Sequence, residues 1–269
     1  LGDITNTKVP QIFEVLEKNG KRVGCISPMN ADNRMNDPAY FIPDPWTRTG
    51  SDKSWWSKKL TSAISQLVND NAEGRIHFSS FVTMFLALVR FSKVKHYTLY
   101  FNLISKLKGK TWLKAILFDL LLHDLHLTLF RSKKPHFSTL FLNAAAHIQH
   151  HYFFNSLMIK GKNSLRNPEW YIKKKFDPFF DVLVIYERIL EDYLFMKDTE
   201  LILATGLSQV PCNKIEFYYR LRDHENFLRI LEIEFTSVIP RMTRDFLINF
   251  NSVESAKHAE KKLNAIKVC

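Results

Sequence analysis

The segment Thr139-Leu-Phe-Leu-Asn143-Ala-Ala-Ala-His147-Ile-Gln-His150-His151-Tyr152 runs an apolar stretch straight into three histidines. If a helix starts at Ala144, then His147, His150 and His151 stand at i, i+3 and i+4 and share one helical face. A histidine face at the carboxyl end of a strand lies where α/β enzymes place their chemistry. Neutral imidazoles are common transition-metal ligands, and they also move protons near neutral pH. The same spacing fits histidines packed among aromatics on a half-buried helix. The residues alone leave both readings open.

One helix face supplies two or three ligands at most, so a metal site needs donors from elsewhere. Candidates are Asp32 and Asp37 in a long loop, His123, Asp124 and His126 in an apolar helix, and His224 or Asp245 further on. The expected set is His147, His151 and Asp32 around a divalent ion, zinc or manganese. His150 would assist, and Asn143 would orient a ligand or the substrate. His123 and His126 also fit plain helix packing.

Two further groups could hold an anion. Ala204-Thr205-Gly206 ends an apolar stretch, which would put the Thr205 hydroxyl and backbone N–H groups at a sheet edge. The same tripeptide serves as an ordinary turn. Arg241 and Arg244 flank Met242 and Thr243, and arginine forks suit phosphate or sulfate. An ion pair with Asp245 is the alternative. Arg166-Asn-Pro-Glu-Trp-Tyr171 is an aromatic turn that would either wall a pocket or anchor a loop.

The chain has a formal charge of +11, which favours anionic partners. Its basic residues are scattered in short clusters, so a small phosphoester or similar anion is expected and a nucleic-acid partner is not. No apolar run approaches the ~20 residues of a membrane span. The longest candidate, 111–130, is broken by Lys114, Asp119, His123, Asp124 and His126. Cys25, Cys212 and Cys269 are odd in number and far apart, which suggests a reducing, cytoplasmic setting.

These groups must be carried by an α/β scaffold. Val9–Lys18 has helical spacing and ends at Asn19-Gly20, where a left-handed cap fits. Arg22–Ser27 then reads as a buried strand, followed by an irregular Asn/Asp/Pro-rich loop over 28–50. Residues 55–136 read as a helical insertion, with helices over 80–89, 97–107 and 112–129. The α/β pattern resumes with a strand at 139–143 and helices over 144–157 and 177–196. Strands at 200–205, 215–221 and 244–250 alternate with helices at 223–231 and 252–266. The expectation is a single α/β domain over 1–269, its mostly parallel sheet covered by helices on both faces.

There is no P-loop, GxGxxG or GxSxG motif. The order of parts resembles the alkaline phosphatase superfamily, in particular its type I phosphodiesterase and nucleotide pyrophosphatase branch. Val9 to Gly24, ending Asn-Gly-Lys-Arg-Val-Gly, is similar to that branch's first helix–strand. Asn143-Ala-Ala-Ala-His147 resembles its Asp-x-x-x-His metal motif, and 177–194 its following long helix. Leu201 to Ser208 stands in place of its strand ending Ser-Asp-His-Gly-Met. Three family ligands differ, with Asn143 for Asp and Thr205-Gly206 for the Asp-His pair.

The resemblance implies a metal-dependent hydrolase or transferase acting on phosphate- or sulfate-type esters. Its nucleophile would precede Leu1, which is not an initiator methionine. His147 carries over as a metal ligand. The alternative is a catalytically inactive binding or assembly protein on the same fold.

Overall fold

The computed structural model describes residues 8–69, 77–158, 165–205, 208–210, 212, 214–217, 221–240 and 245–266. The chain divides into two compact units: 1–61 with 82–215, and 62–81 with 216–269. The reading above treats it as one domain.

The first unit is built on a parallel sheet of order β2-β1-β3, comprising β1 (Val23–Ile26), β2 (Tyr40–Ile42) and β3 (Phe137–Leu140). Cys25 pairs with Phe41 and with Thr139, which sets the register. Alternation sends successive side chains to opposite faces. Val23, Cys25 and Phe41 bury one face against Phe13 and Leu16 of α1 (Ile12–Lys18). The opposite face carries Tyr40, whose ring meets His126 of α5 (Leu113–Lys133) edge to face. The sheet is therefore covered on both sides, as expected. It is smaller than expected.

Gly24 makes that close packing possible. A Cβ there would lie 2.3 Å from Tyr40 Cζ. Only a residue without a side chain lets the ring cross β1. Gly20 ends α1 with φ +72°, the left-handed cap read from the sequence.

The main core is helical. α5 packs Leu113, Ile116 and Leu120 against Tyr100 and Leu103 of α4 (Tyr97–Lys106). Ala144 and Ile148 of α6 (Ala144–Tyr152) join it, as do Val182, Ile185 and Ile189 of α7 (Pro178–Leu194). Each such aliphatic side chain contributes about 1.5–3 kcal/mol on burial. α5 is buried nearly all round through its middle, including four polar residues, Asp119, His123, Asp124 and His126. α2 (Trp55–Asn69) and α3 (Phe78–Phe91) precede α4 in the chain.

The second unit holds α8 (His224–Ile230), an antiparallel pair of β4 (Ser237–Pro240) with β5 (Phe246–Asn249), and α9 (Val253–Asn264). Leu228, Ile233 and Ala259 form its small core. Ser252 caps α9, accepting from the Ser255 amide at 3.1 Å.

Three expectations differ from the structure. Glu200–Thr205 forms no strand, so it adds nothing to the parallel sheet. The strand near 244–250 pairs antiparallel with β4 in the second unit. β2 lies inside the stretch read as irregular, because three residues are too few to show a period. Of 215–221, residues 218–220 lie outside the described residues.

Candidate functional site at the sheet edge and a buried histidine network

The carboxyl edge of the parallel sheet is formed by Ser27 after β1, Asp44 after β2 and Asn143 after β3. Ser27 is buried and has φ +54°, a left-handed backbone that costs a non-glycine residue about 1–3 kcal/mol. Its amide donates to the Ile42 carbonyl at 2.7 Å, which ties the β1 and β2 ends together. Sequence reading does not find Ser27, because nothing local marks its backbone angle.

From β3 the chain turns into α6. Asn143 occupies the N-cap but makes no capping bond with its side chain. The cap comes from Asp119 of α5, which accepts from the Ala144 amide at 2.8 Å and the Asn143 amide at 3.4 Å. The Tyr186 hydroxyl donates to the same carboxylate at 2.6 Å. Burial outweighs these bonds and raises the Asp119 carboxyl to about 6.

α6 presents the histidines as the spacing predicts. The His147 and His151 rings lie 4.8 Å apart on one face, and both are solvent-accessible. His151 Nδ1 is 2.9 Å from the Tyr171 hydroxyl. Asn167 Nδ2 donates to the His151 carbonyl at 3.2 Å. The Arg166–Tyr171 turn therefore anchors on α6 and walls the histidine face. His150 is near enough to perturb both rings, and its Nε2 lies 3.3 Å from Gln209 Nε2. Partial burial, then neighbouring histidines, lower the pKa of both His147 and His151. Both are thereby held as neutral imidazoles at pH 7.

The expected metal set is not assembled at this edge. Asp32 holds its own loop, accepting from the Thr49 hydroxyl and from Arg34 Nε at 3.2 Å. Asp44 likewise accepts from Asn30, Trp46 and Thr47 amides and the Thr47 hydroxyl. The loop carboxylates stabilise the loop rather than converge on His147 and His151. Two imidazoles alone do not fit the four-coordinate centre that the resemblance implies. Thr205 is exposed in an unpaired segment. Arg241 and Arg244 lie outside the described residues, as does Gly206. His224 and Asp245 belong to the second unit. His224 is buried there against Phe246, with ring centroids 4.8 Å apart.

A second cluster lies in the helical layer. Among the described residues, His96, His123 and Asp124 each offer a ligand atom within 4.8 Å of the others. His96 closes the 3-10 turn Val94–His96 before α4, and the other two sit on α5. α7 adds Asp192 and Tyr193. His123 Nε2 is 3.0 Å from Asp192 Oδ2, and its Nδ1 is 3.0 Å from the Tyr193 hydroxyl. That hydroxyl also lies 2.8 Å from His126 Nδ1. His126 Nε2 reaches Ser138 Oγ at 2.7 Å, and Ser138 reaches the Tyr40 hydroxyl at 2.6 Å.

One proton per group satisfies this chain in either direction: from Tyr40 through Ser138, His126, Tyr193 and His123 to Asp192, or back from His123 Nδ1 through Tyr193, His126 and Ser138 to Tyr40, which leaves the His123 Nε2 lone pair free. Desolvation, then the neighbouring His96 and His126 and the nearby Lys95 and Lys93, push His123 down to about 2. Desolvation takes His126 to about 4. Both are neutral at pH 7.

Cys25 is buried, and desolvation lifts its thiol to about 12, which excludes it as a nucleophile. No described helix is long and apolar enough to cross a membrane. No known protein family, curated protein or solved structure matches the chain.

Proposed function

We propose that this chain is an alkaline-phosphatase-like hydrolase or transferase acting on a phosphate- or sulfate-type ester. The supporting observation is the β3–α6 junction, which delivers the neutral His147–His151 face just past the carboxyl edge of a parallel sheet. His147 acts there as general base, taking the proton of the attacking hydroxyl or water. His151 supports it, oriented by Tyr171. Such proton transfer contributes typically 10²–10⁴-fold to a rate. Ser27 adds a strained backbone at the same edge, a feature that concentrates at functional sites. The net charge of +11 favours an anionic ester.

The resemblance calls for metal ions at this edge. The described donors there fall short of a centre, so the mechanism rests on the side chains alone. Its test is turnover of aryl phosphate monoesters, diesters and sulfates by the purified chain across pH 5–9. The expected rate rises with pH through a titration below that of a free histidine, as His147 loses its proton. A rate that is flat in pH would remove the histidine base.

A second reading is a binding or assembly protein on the same scaffold. Exposed apolar side chains on α3 and α4 favour it: Phe85 is 58% exposed, Val89 59% and Phe101 73%. Patches of this kind mark contact surfaces. Absence of turnover together with self-association in solution would select this reading.

A further inference from the structure

We propose that His96, His123 and Asp192 form a two-histidine, one-carboxylate site for a divalent transition-metal ion, with Asp124 and Tyr193 as the outer partners of its imidazoles. This site is separate from the sheet-edge histidines and does not depend on the function proposed above.

The geometry points to it in three ways. First, His96 Nε2 and His123 Nε2 both aim at one atom, Asp192 Oδ2, at 3.5 and 3.0 Å. Ligand atoms around a tetrahedral zinc ion with bonds near 2.0–2.1 Å stand about 3.3 Å apart. The three donors come from three elements, the turn before α4, α5 and α7. Packing of those elements in the main core fixes their mutual positions.

Second, each imidazole is held by its other nitrogen. His96 Nδ1 is 2.7 Å from Asp124 Oδ1. His123 Nδ1 is 3.0 Å from the Tyr193 hydroxyl. Asp124 is itself oriented by the Lys93 amide at 2.9 Å and the Tyr100 hydroxyl at 3.0 Å. Metal-binding histidines are held in this way, their second N–H donating to a carboxylate or another oxygen.

Third, the donors are shielded from water. The side chains of His123 and Asp124 are 0% exposed, of His96 5% and of Asp192 7%. His96 faces a carboxylate at each ring nitrogen, 2.7 Å from Asp124 and 3.5 Å from Asp192. A metal ion at Nε2 bonds the ring and Asp192 together, and buried charges are normally paired or coordinate metals.

Asp192 connects the site to solvent. It lines a surface groove of about 400 Å³ with Lys95, Arg131, Phe195, Met196 and Lys197. The Lys95 ammonium pairs with the outer oxygen of Asp192. Ions enter by this groove, and its three cations favour an anion as the remaining ligand.

The test is zinc titration of the full chain after treatment with a chelator, read by competition with a chromophoric zinc indicator. One equivalent should bind. Asp192→Asn and His96→Gln should each weaken binding at least tenfold, and Asp124→Asn by about 10–100-fold. His147→Ala should keep the full equivalent, which separates this site from the sheet edge. Near-UV circular dichroism checks that each variant is folded. Should a variant unfold, cobalt added to the wild-type chain decides, through the visible absorption of a low-symmetry histidine-bound ion. Absence of saturable zinc binding and of cobalt absorption in the folded chain would overturn the proposal, leaving His96 as a hydrogen-bonded bridge between two carboxylates. Zinc binding undiminished in folded Asp192→Asn and His96→Gln would overturn it as well.

Discussion

The Tyr193 hydroxyl stands 3.0 Å from His123 Nδ1, and this contact joins α7 to a network running through α5 to the sheet. The same hydroxyl serves His126 at 2.8 Å, so one oxygen satisfies two buried imidazoles. Tyr193→Phe removes it and strands both nitrogens. Leaving buried polar groups unpaired costs about 1–3 kcal/mol. We expect Tm to fall by several degrees, measured by thermal unfolding. An unchanged Tm would mean that water replaces the hydroxyl at no cost.

Acid should weaken the fold before any catalytic titration is considered. His123 and His126 have pKa values lowered to about 2 and about 4. An unfolded histidine titrates near 6.5. Between about 6.5 and 4 the unfolded chain therefore binds more protons at both positions than the folded chain. Stability is complete above about 6.5 and falls with pH, by up to about 1.4 kcal/mol per pH unit for each group. Asp119 works in the opposite direction. Its pKa is raised to about 6, so its contribution grows as pH falls through the window from about 6 toward its unfolded value near 3.9. Two groups outweigh one. The urea midpoint should drop from pH 6.5 to 4.5, and a constant midpoint would contradict the burial of the two histidines.

Asp119 ties α5 to the start of α6, so Asp119→Ala should act on stability and site together. The Ala144 amide and the Tyr186 hydroxyl lose their acceptor. The expected loss is about 1–3 kcal/mol by urea denaturation. Asp119→Asn should cost less, since its amide oxygen still accepts one of these bonds.

Gly24→Ala is a test of sheet packing. The new methyl would lie 2.3–2.6 Å from three atoms of the Tyr40 ring. Overpacking of this kind costs about 1–3 kcal/mol or more. It also moves the Tyr40 hydroxyl away from Ser138. A lower Tm is expected, and wild-type Tm would show that the ring can slide off β1.

Much of this was legible where the signal is local. The β3–α6 junction, the left-handed cap at Gly20, the Ser252 cap and the long helix α7 all follow from spacing and residue type. The polar interruptions of the 111–130 stretch were visible too; Asp119, His123, Asp124 and His126 are buried on α5, and Lys114 is exposed. What sequence could not supply was convergence. Asp192 meets His123 across 69 positions, and Asp119 caps a helix 25 residues away. Asp32 looked like a free ligand because its bond to Thr49 spans 17 residues. Glu200–Thr205 is apolar enough for a strand, but a strand exists only where another one pairs with it.

The most direct test of the proposed function compares wild-type and His147→Ala on the best-hydrolysed ester of a phosphate and sulfate panel, with matched circular dichroism. Wild-type turnover is expected, with a fall of about 10²-fold or more in kcat on removing the base. Equal rates in the two folded proteins would contradict the role of His147, and no wild-type turnover on any ester would contradict the hydrolase reading itself.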